Sequence, residues 1–114
     1  MKRLLLAAGM LFAGAALAQA PQRLFDGADL ALGERLLKEH RCAECHARRV
    51  GGDGSAIYRP AGRINSAARL RGMVDYCSTE LNLGLFPEDV DAVAAALDRD
   101  HYHFERRPGG GAKR

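Results

Sequence analysis

The stretch that decides the fold of this chain is Cys42-Ala43-Glu44-Cys45-His46. Its two cysteines are separated by two residues, so on a helix both thiols lie within one turn, and a histidine follows at once. Two thiols at this spacing can form thioethers with the two vinyl groups on one edge of a haem, and the next imidazole then points at the iron. We therefore predict one covalently attached haem, with Cys42 and Cys45 as the attachment sites and His46 as the proximal iron ligand.

Two other interpretations of the motif have weaker support. A thioredoxin-like redox pair requires a βαβ context, and no alternating strand pattern surrounds the two cysteines. A structural zinc site requires two further ligands at suitable spacing, whereas the remaining cysteine and three histidines are scattered along the chain. A disulfide and a zinc site are kept as the alternatives to haem.

Length and composition allow one small globular domain. The chain has 114 residues, of which 47% are hydrophobic and 27% charged, and this excludes a wholly disordered, collagen-like or multi-spanning membrane protein. We expect a signal peptide over residues 1–18, a folded domain over residues 19–105 and a flexible basic tail over residues 106–114.

The N-terminal segment has the pattern of an export signal. Lys2 and Arg3 precede an apolar run from Leu4 to Leu17, and residues 16–18 offer a small-x-small cleavage site. The apolar run is too short to span a bilayer. We predict a periplasmic or otherwise exported protein with no stable membrane span after cleavage, and an uncleaved N-terminal anchor is the alternative.

The positive charge gives little support for nucleic-acid binding. The formal net charge is +3, and four of the basic residues lie in the tail, which has no acidic residue. The rest of the chain has no basic stripe interleaved with aromatic residues. Nucleic acid is therefore excluded from the expected partners.

Hydrophobic periodicity predicts three helices around the motif. The first is capped by Asp29 and runs to the cysteines, so that the motif closes it. The second is expected over residues 66–77, and the third has Pro87 at its first position. The glycine-rich residues 50–63 are expected to be loop. The expected apolar stripes are Leu70, Met73, Val74 and Cys77 on the second helix and Val90, Val93, Ala94 and Leu97 on the third.

Over residues 27–104 the chain resembles the class I c-type cytochromes. The motif carries the resemblance, and Gly33 resembles the small residue that lets the first helix of such proteins cross the last one closely. The resemblance implies an all-α, cytochrome c-like fold of three to four helices wrapped around one covalently bound haem. More narrowly, the run from Tyr76 to Leu81 ahead of Pro87 is similar to the distal region of small monohaem cytochromes of the cytochrome c″ and SHP type.

Two positions depart from that narrower group. In it, the residue before the corresponding cysteine can be the sixth iron ligand, and the cysteine is often bridged to another near the last helix. Here the ligand position holds Tyr76, and the expected partner position, Leu85, has no sulfur. Cys77 is then either a small buried hydrophobe or an unpaired thiol able to form an intermolecular disulfide.

The sixth iron ligand stays open at this point. Cytochromes of this class commonly use methionine, because a thioether favours reduced iron, and Met73 is the only methionine after the motif. We predict Met73 as the distal ligand, with Tyr76 as the alternative by resemblance of position, while helical spacing also allows Met73 to be core packing. His101 and His103 can bind iron only if the segment after the last helix folds back, and are otherwise expected to be a solvated pair. An open, five-coordinate iron is the remaining alternative.

Residues suited to the two haem propionates follow the motif. Guanidinium groups and phenol hydroxyls donate well to carboxylates. We predict Tyr58, Arg59 and Arg63 as the propionate contacts, with solvated side chains as the alternative.

The sequence therefore predicts an exported monohaem c-type cytochrome that carries single electrons between redox partner proteins and is a monomer. The protein supplies the tether, the ligands and a wall of low polarity, while the iron supplies the chemistry. The alternative is a gas-binding or sensing haem protein with an open or displaceable distal ligand, and a structural metal or disulfide module is the third possibility. No paired carboxylates, nucleophile with a base, or phosphate-binding loop indicates an independent enzyme.

Overall fold

The described part of the chain is all-helical, which confirms the predicted fold class at that level. A computed structural model describes Gly14, residues 23–59 and residues 62–105. These residues form no strand, and their four helices are α1 Leu30–Glu39, α2 Cys42–Val50, α3 Ala67–Glu80 and α4 Pro87–Leu97. A 3₁₀ turn, Ser55–Ile57, lies between α2 and α3, and a π turn, Asp98–Tyr102, follows α4.

Several predictions concern residues outside this description. The signal peptide over residues 1–18, apart from Gly14, and the basic tail over residues 106–114 belong to them. In the portion of the chain that is described, none of the helices combines the length and the apolar character required for crossing a membrane.

The core forms where α1 crosses α4. Seven of the eleven residues of α4 are buried, and they include the whole of its predicted apolar stripe. At the crossing, a Cβ on Gly33 would lie 2.1 Å from the carbonyl oxygen of Ala92 and 3.1 Å from the Cβ of Ala96. Because only a hydrogen fits there, the expectation that Gly33 permits a close crossing is confirmed.

The first helix ends earlier than the sequence predicted. Asp29 caps α1 as expected, because its Oδ1 accepts a hydrogen bond from the Leu32 N–H at 3.0 Å. However, α1 ends at Glu39, and Arg41 adopts the left-handed backbone conformation with φ 52°. The prediction that the motif closes the first helix is wrong, because this left-handed residue turns the chain and the motif begins α2 instead.

The other two predicted helix starts are confirmed. Ser66 Oγ accepts a hydrogen bond from the Arg69 N–H at 3.1 Å at the start of α3. Ahead of Pro87, the Phe86 N–H donates to Asp89 Oδ2 at 3.0 Å. In each case a backbone N–H at the start of the helix, which has no backbone partner within the helix, donates to a side-chain oxygen. At its other end α3 runs three residues further than predicted.

After α4 the chain folds back on itself. Asp98 is only 1% exposed, and its carboxylate accepts hydrogen bonds from the N–H groups of Phe104 and Glu105 at 2.7 and 3.1 Å. The Glu105 carboxylate in turn accepts from the N–H groups of Leu24 and Phe25 at 2.8 and 2.9 Å. These bonds tie the segment after α4 to the segment before α1.

Candidate functional site

Helix α2 places the chemically distinctive side chains of the motif on one face. Cys42, Cys45 and His46 are spaced i, i+3 and i+4, and side chains at this spacing are neighbours on a helix surface. All three are half-buried, and both cysteines are free thiols. One helix face therefore offers two thiols and an imidazole together.

The imidazole of His46 is held by Tyr58. His46 Nδ1 lies 3.0 Å from the Tyr58 hydroxyl, and the two rings meet edge to face at 82° with centroids 5.3 Å apart. Burial, and then the charge of Arg49, lower the pKa of His46, so that the neutral ring is favoured. Burial also raises the pKa of the Tyr58 hydroxyl, which keeps its proton. With Nδ1 engaged, Nε2 is the nitrogen left to bind a metal.

The loop after α2 passes directly over that helix. Gly54 is buried with φ +83°, and a Cβ there would lie 2.6 Å from the Ala43 carbonyl oxygen and 2.8 Å from the Ala47 nitrogen. Beside it, Asp53 Oδ1 accepts hydrogen bonds from the N–H and Oγ of Ser55 at 2.9 and 2.6 Å and starts the 3₁₀ turn. The loop is thereby fixed against α2.

The predicted loop over residues 50–63 is confirmed for residues 51–59, 62 and 63 apart from that turn, while Val50 belongs to α2 and residues 60 and 61 lie outside the description. The role of Gly54 was missed. Three glycines within residues 51–54 were the available signal, because such a run indicates positive φ values. The run alone does not say which glycine faces a neighbouring helix.

His101 reaches the same cluster from the other end of the domain. Its ring stacks on Tyr58 with centroids 4.4 Å apart and planes inclined by 28°. The prediction of a solvated histidine pair is wrong for His101, because the π turn folds the chain back, and correct for His103, which is exposed. Burial lowers the pKa of His101, and the nearby Asp100 partly opposes this shift.

Helix α3 brings a third thiol close to the motif. Burial raises the pKa of Cys42, and the nearby Cys77 and Cys45 add to the rise. Burial likewise raises the pKa of Cys77, with Cys45 contributing and Arg49 opposing. Within the described segments α3 packs mainly on α4, while α2 packs on the 3₁₀ turn and on α1. The Cys77 thiol therefore lies within electrostatic range of the motif thiols, although α2 and α3 have little direct contact.

The two predicted distal ligands lie beside Cys77 on α3. Met73 is 39% exposed and Tyr76 is 59% exposed. The expectation that Met73 belongs to the apolar core stripe is wrong, because the buried face of α3 centres on Leu70 and Ser78 instead. Met73 is thus available for contacts outside the core.

The predicted propionate contacts are spread along the loop. Arg59 is exposed, and its Nε donates to the Ala56 carbonyl oxygen at 3.0 Å. Arg63 is also exposed, and the Tyr58 hydroxyl is engaged with His46. A propionate role for these three residues stays a prediction.

The side chains on α2 fit a haem of the covalently attached kind. Such a group needs two free thiols on one helix face and an imidazole with one nitrogen unengaged, and the motif offers both. Over residues 23–59 and 62–105, no three side chains of His, Cys, Asp or Glu gather as they would around a metal ion. A single imidazole suffices for the proximal side of a haem.

No family model, no curated protein and no solved structure matches this chain. The resemblance to the class I c-type cytochromes therefore rests on the sequence and stays a prediction.

Proposed function

We propose that this chain is an exported monohaem c-type cytochrome that transfers single electrons between redox partner proteins. The observation that supports this most strongly is the shared face of α2, where Cys42 and Cys45 are free thiols beside an imidazole whose Nδ1 is already hydrogen-bonded. A haem held there supplies a reversible one-electron change at its iron.

The residues of α2 would hold the group in two ways. Cys42 and Cys45 would each hold one vinyl group through a thioether, with the sulfur on one vinyl carbon and the thiol hydrogen on the other, so that the addition would consume no electrons. His46 would offer Nε2 to the iron, because Nδ1 is occupied by Tyr58. Covalent attachment suits a domain of this size, since a small core buries too little surface to retain a cofactor by packing alone.

We propose Met73 as the distal iron ligand, with Tyr76 as the alternative. Two features of α3 support this choice. Met73 lies one turn before Cys77, whose thiol is within electrostatic range of the motif thiols. The Met73 side chain is 39% exposed and so lies outside the core. A thioether on the distal side favours reduced iron and raises the reduction potential, as an electron carrier commonly requires.

A second candidate function is the binding or sensing of a small gas molecule. The exposure of Met73 and Tyr76, 39% and 59%, favours it, because a distal ligand that is not locked by packing is easily displaced. The two functions share the motif and differ in the strength of the distal ligand.

Covalent haem attachment is tested by expressing the full chain in a bacterium that exports and matures c-type cytochromes. We expect haem to stay with the polypeptide on a denaturing gel, because thioethers survive denaturation. The double variant Cys42→Ala and Cys45→Ala should lose this haem, while the matched control Cys77→Ala should keep it. Haem that is extracted from the unchanged chain, or equal retention in the double variant, contradicts the proposal.

The distal side is tested with carbon monoxide and a visible spectrum of the haem-loaded chain. If Met73 binds the iron, the unchanged protein should bind carbon monoxide slowly, and Met73→Ala should bind it much faster and change the spectrum. Tyr76→Phe tests the alternative ligand and should leave both unchanged when Met73 binds the iron, whereas a change in Tyr76→Phe and not in Met73→Ala would assign the ligand to Tyr76. Rapid binding by the unchanged protein would instead favour the gas-binding function.

A further inference from the structure

We propose that Tyr58 is a positioning residue for the proximal imidazole. The hydroxyl oxygen of Tyr58 accepts a hydrogen bond from the Nδ1–H of His46. By doing so it sets which ring nitrogen faces the iron and how strongly that nitrogen donates electrons. The inference rests on the proposed function, because this bond affects redox behaviour only when His46 binds a haem iron.

The direction of the hydrogen bond follows from the chemistry of the ring. In a neutral imidazole one nitrogen carries the proton and the other carries the lone pair. If Nε2 is to offer its lone pair to iron, Nδ1 must carry the proton, and the Tyr58 oxygen 3.0 Å away is the acceptor. The phenol then keeps its own proton for a further acceptor.

Tyr58 is itself held firmly enough to position another side chain. Its ring stacks on His101 at 4.4 Å and meets Tyr102 at 6.1 Å in an edge-on arrangement. On the other side, the close approach of Gly54 to α2 fixes the loop four residues ahead. A ligand is oriented well only when its supporting partner is also restrained, and both conditions are met here.

The expected consequence is a lower reduction potential. When Nδ1–H donates to an oxygen, the imidazole becomes more electron-rich and stabilises the oxidised, more positive iron. Removing the acceptor should therefore raise the potential.

The test uses Tyr58→Phe in the haem-loaded full chain. This change removes the hydroxyl oxygen and keeps the ring that stacks on His101. The matched control is Tyr102→Phe, which removes the hydroxyl of a buried tyrosine in the same aromatic cluster and leaves the Tyr58 hydroxyl beside His46 in place. We expect the midpoint potential to rise in Tyr58→Phe and to stay at the parent's value in Tyr102→Phe. An unchanged potential in Tyr58→Phe, or an equal rise in both variants, overturns the proposal.

A second measurement needs no variant and separates this role from a contact between Tyr58 and a propionate. Proton NMR of the reduced, haem-loaded parent should show a slowly exchanging His46 Nδ1 proton with a nuclear Overhauser effect to the ring protons of Tyr58. If the His46 Nδ1 proton exchanges rapidly, or shows no nuclear Overhauser effect to Tyr58, the proposal is overturned even if the midpoint potential rises in Tyr58→Phe.

The failure of this inference can be told apart from failure of the proposed function. A chain that carries no covalent haem on a denaturing gel contradicts the function. A chain that carries haem but fails either test above contradicts only the role of Tyr58.

Discussion

The two sides of this domain are built differently. Where α1 crosses α4, the contact is so close that a hydrogen is the only side chain that fits at Gly33, and most of α4 is buried. On α2, α3 and the loop between them, the three thiols, His46 and Tyr58 are half-buried, and Met73 and Tyr76 are exposed.

This contrast indicates a division of roles. Close packing of apolar side chains and backbone stabilises the α1–α4 crossing without any added group. Helices α2 and α3 instead carry half-buried thiols and an imidazole, which are groups that can bind a cofactor. The following experiments test the two sides against each other.

The largest effect is expected at the helix crossing. Gly33→Ala places a Cβ against the carbonyl group of Ala92, and neither backbone can yield without separating α1 from α4. We expect the free energy of unfolding to fall by about 3 kcal/mol, measured by urea denaturation of the haem-loaded protein.

Gly72→Ala is the matched control for this change. Gly72 lies inside α3, and a Cβ there would meet nothing within 4 Å. Because alanine favours a helix more than glycine does, we expect this variant to gain up to about 1 kcal/mol. If both variants behave alike, the α1–α4 crossing is not the close contact described above.

An intermediate effect is expected at Gly54. Gly54→Ala forces a side chain into the left-handed region at φ +83° and against the backbone of α2. We expect a loss of about 2 kcal/mol and, since the loop carries Tyr58, a change in the haem spectrum. Thermal unfolding and a visible spectrum measure the two effects.

The control for the loop is Gly52→Ala. Gly52 also has a positive φ of +58°, but a Cβ there would have no neighbour within 4 Å. This variant should lose about 1 kcal/mol from backbone strain alone and keep the parent's spectrum. A spectrum that changes in Gly52→Ala and not in Gly54→Ala would contradict the proposed contact between the loop and α2.

The smallest effect is a pH dependence from His101. Burial lowers the pKa of His101 in the folded protein below the ordinary value of 6.5. At a pH between the folded pKa and 6.5, the unfolded chain therefore binds a proton that the folded protein does not. This contribution to stability is fully present above pH 6.5 and is lost as the pH falls through the folded pKa. We expect the haem-loaded protein to become slightly less stable on acidification and His101→Gln to show a smaller decline.

The exposed His103 provides the comparison for this test. His103→Gln should follow the parent's decline with pH, because its ring is not packed against Tyr58. Urea titrations at several pH values between about 7 and 5 cover the range in which histidine titrates. A parent whose stability rises on acidification contradicts the buried environment of His101.

Local signals accounted for most of the helices. Asp29 and Pro87 mark helix starts because capping and a missing N–H act within three or four residues of the helix end, while the start at Ser66 followed from hydrophobic periodicity. The break at Arg41 was not predicted, because the left-handed conformation of a non-glycine residue has no reliable signature in sequence. The first helix was therefore predicted too long.

In the candidate site, too, the sequence identified some residues and not their partners. The thiols and imidazole of the motif were identified from spacing alone, because a helix turn brings residues three and four apart together. The partner of His46, by contrast, comes from a loop twelve residues further on, and the stacking partner of that residue comes from beyond α4. No local pattern encodes contacts between such distant segments.

The sequence by itself determined the helical class, the starts of α1, α3 and α4 and the shared helix face of Cys42, Cys45 and His46, since all of these depend on periodicity and short-range spacing. The tertiary structure alone decided that Tyr58 meets His46, that His101 packs behind it and that Met73 lies outside the core. The reason is physical: these contacts depend on how the loop crosses α2 and how the buried Asp98 turns the chain after α4, and both arise only when distant segments pack together.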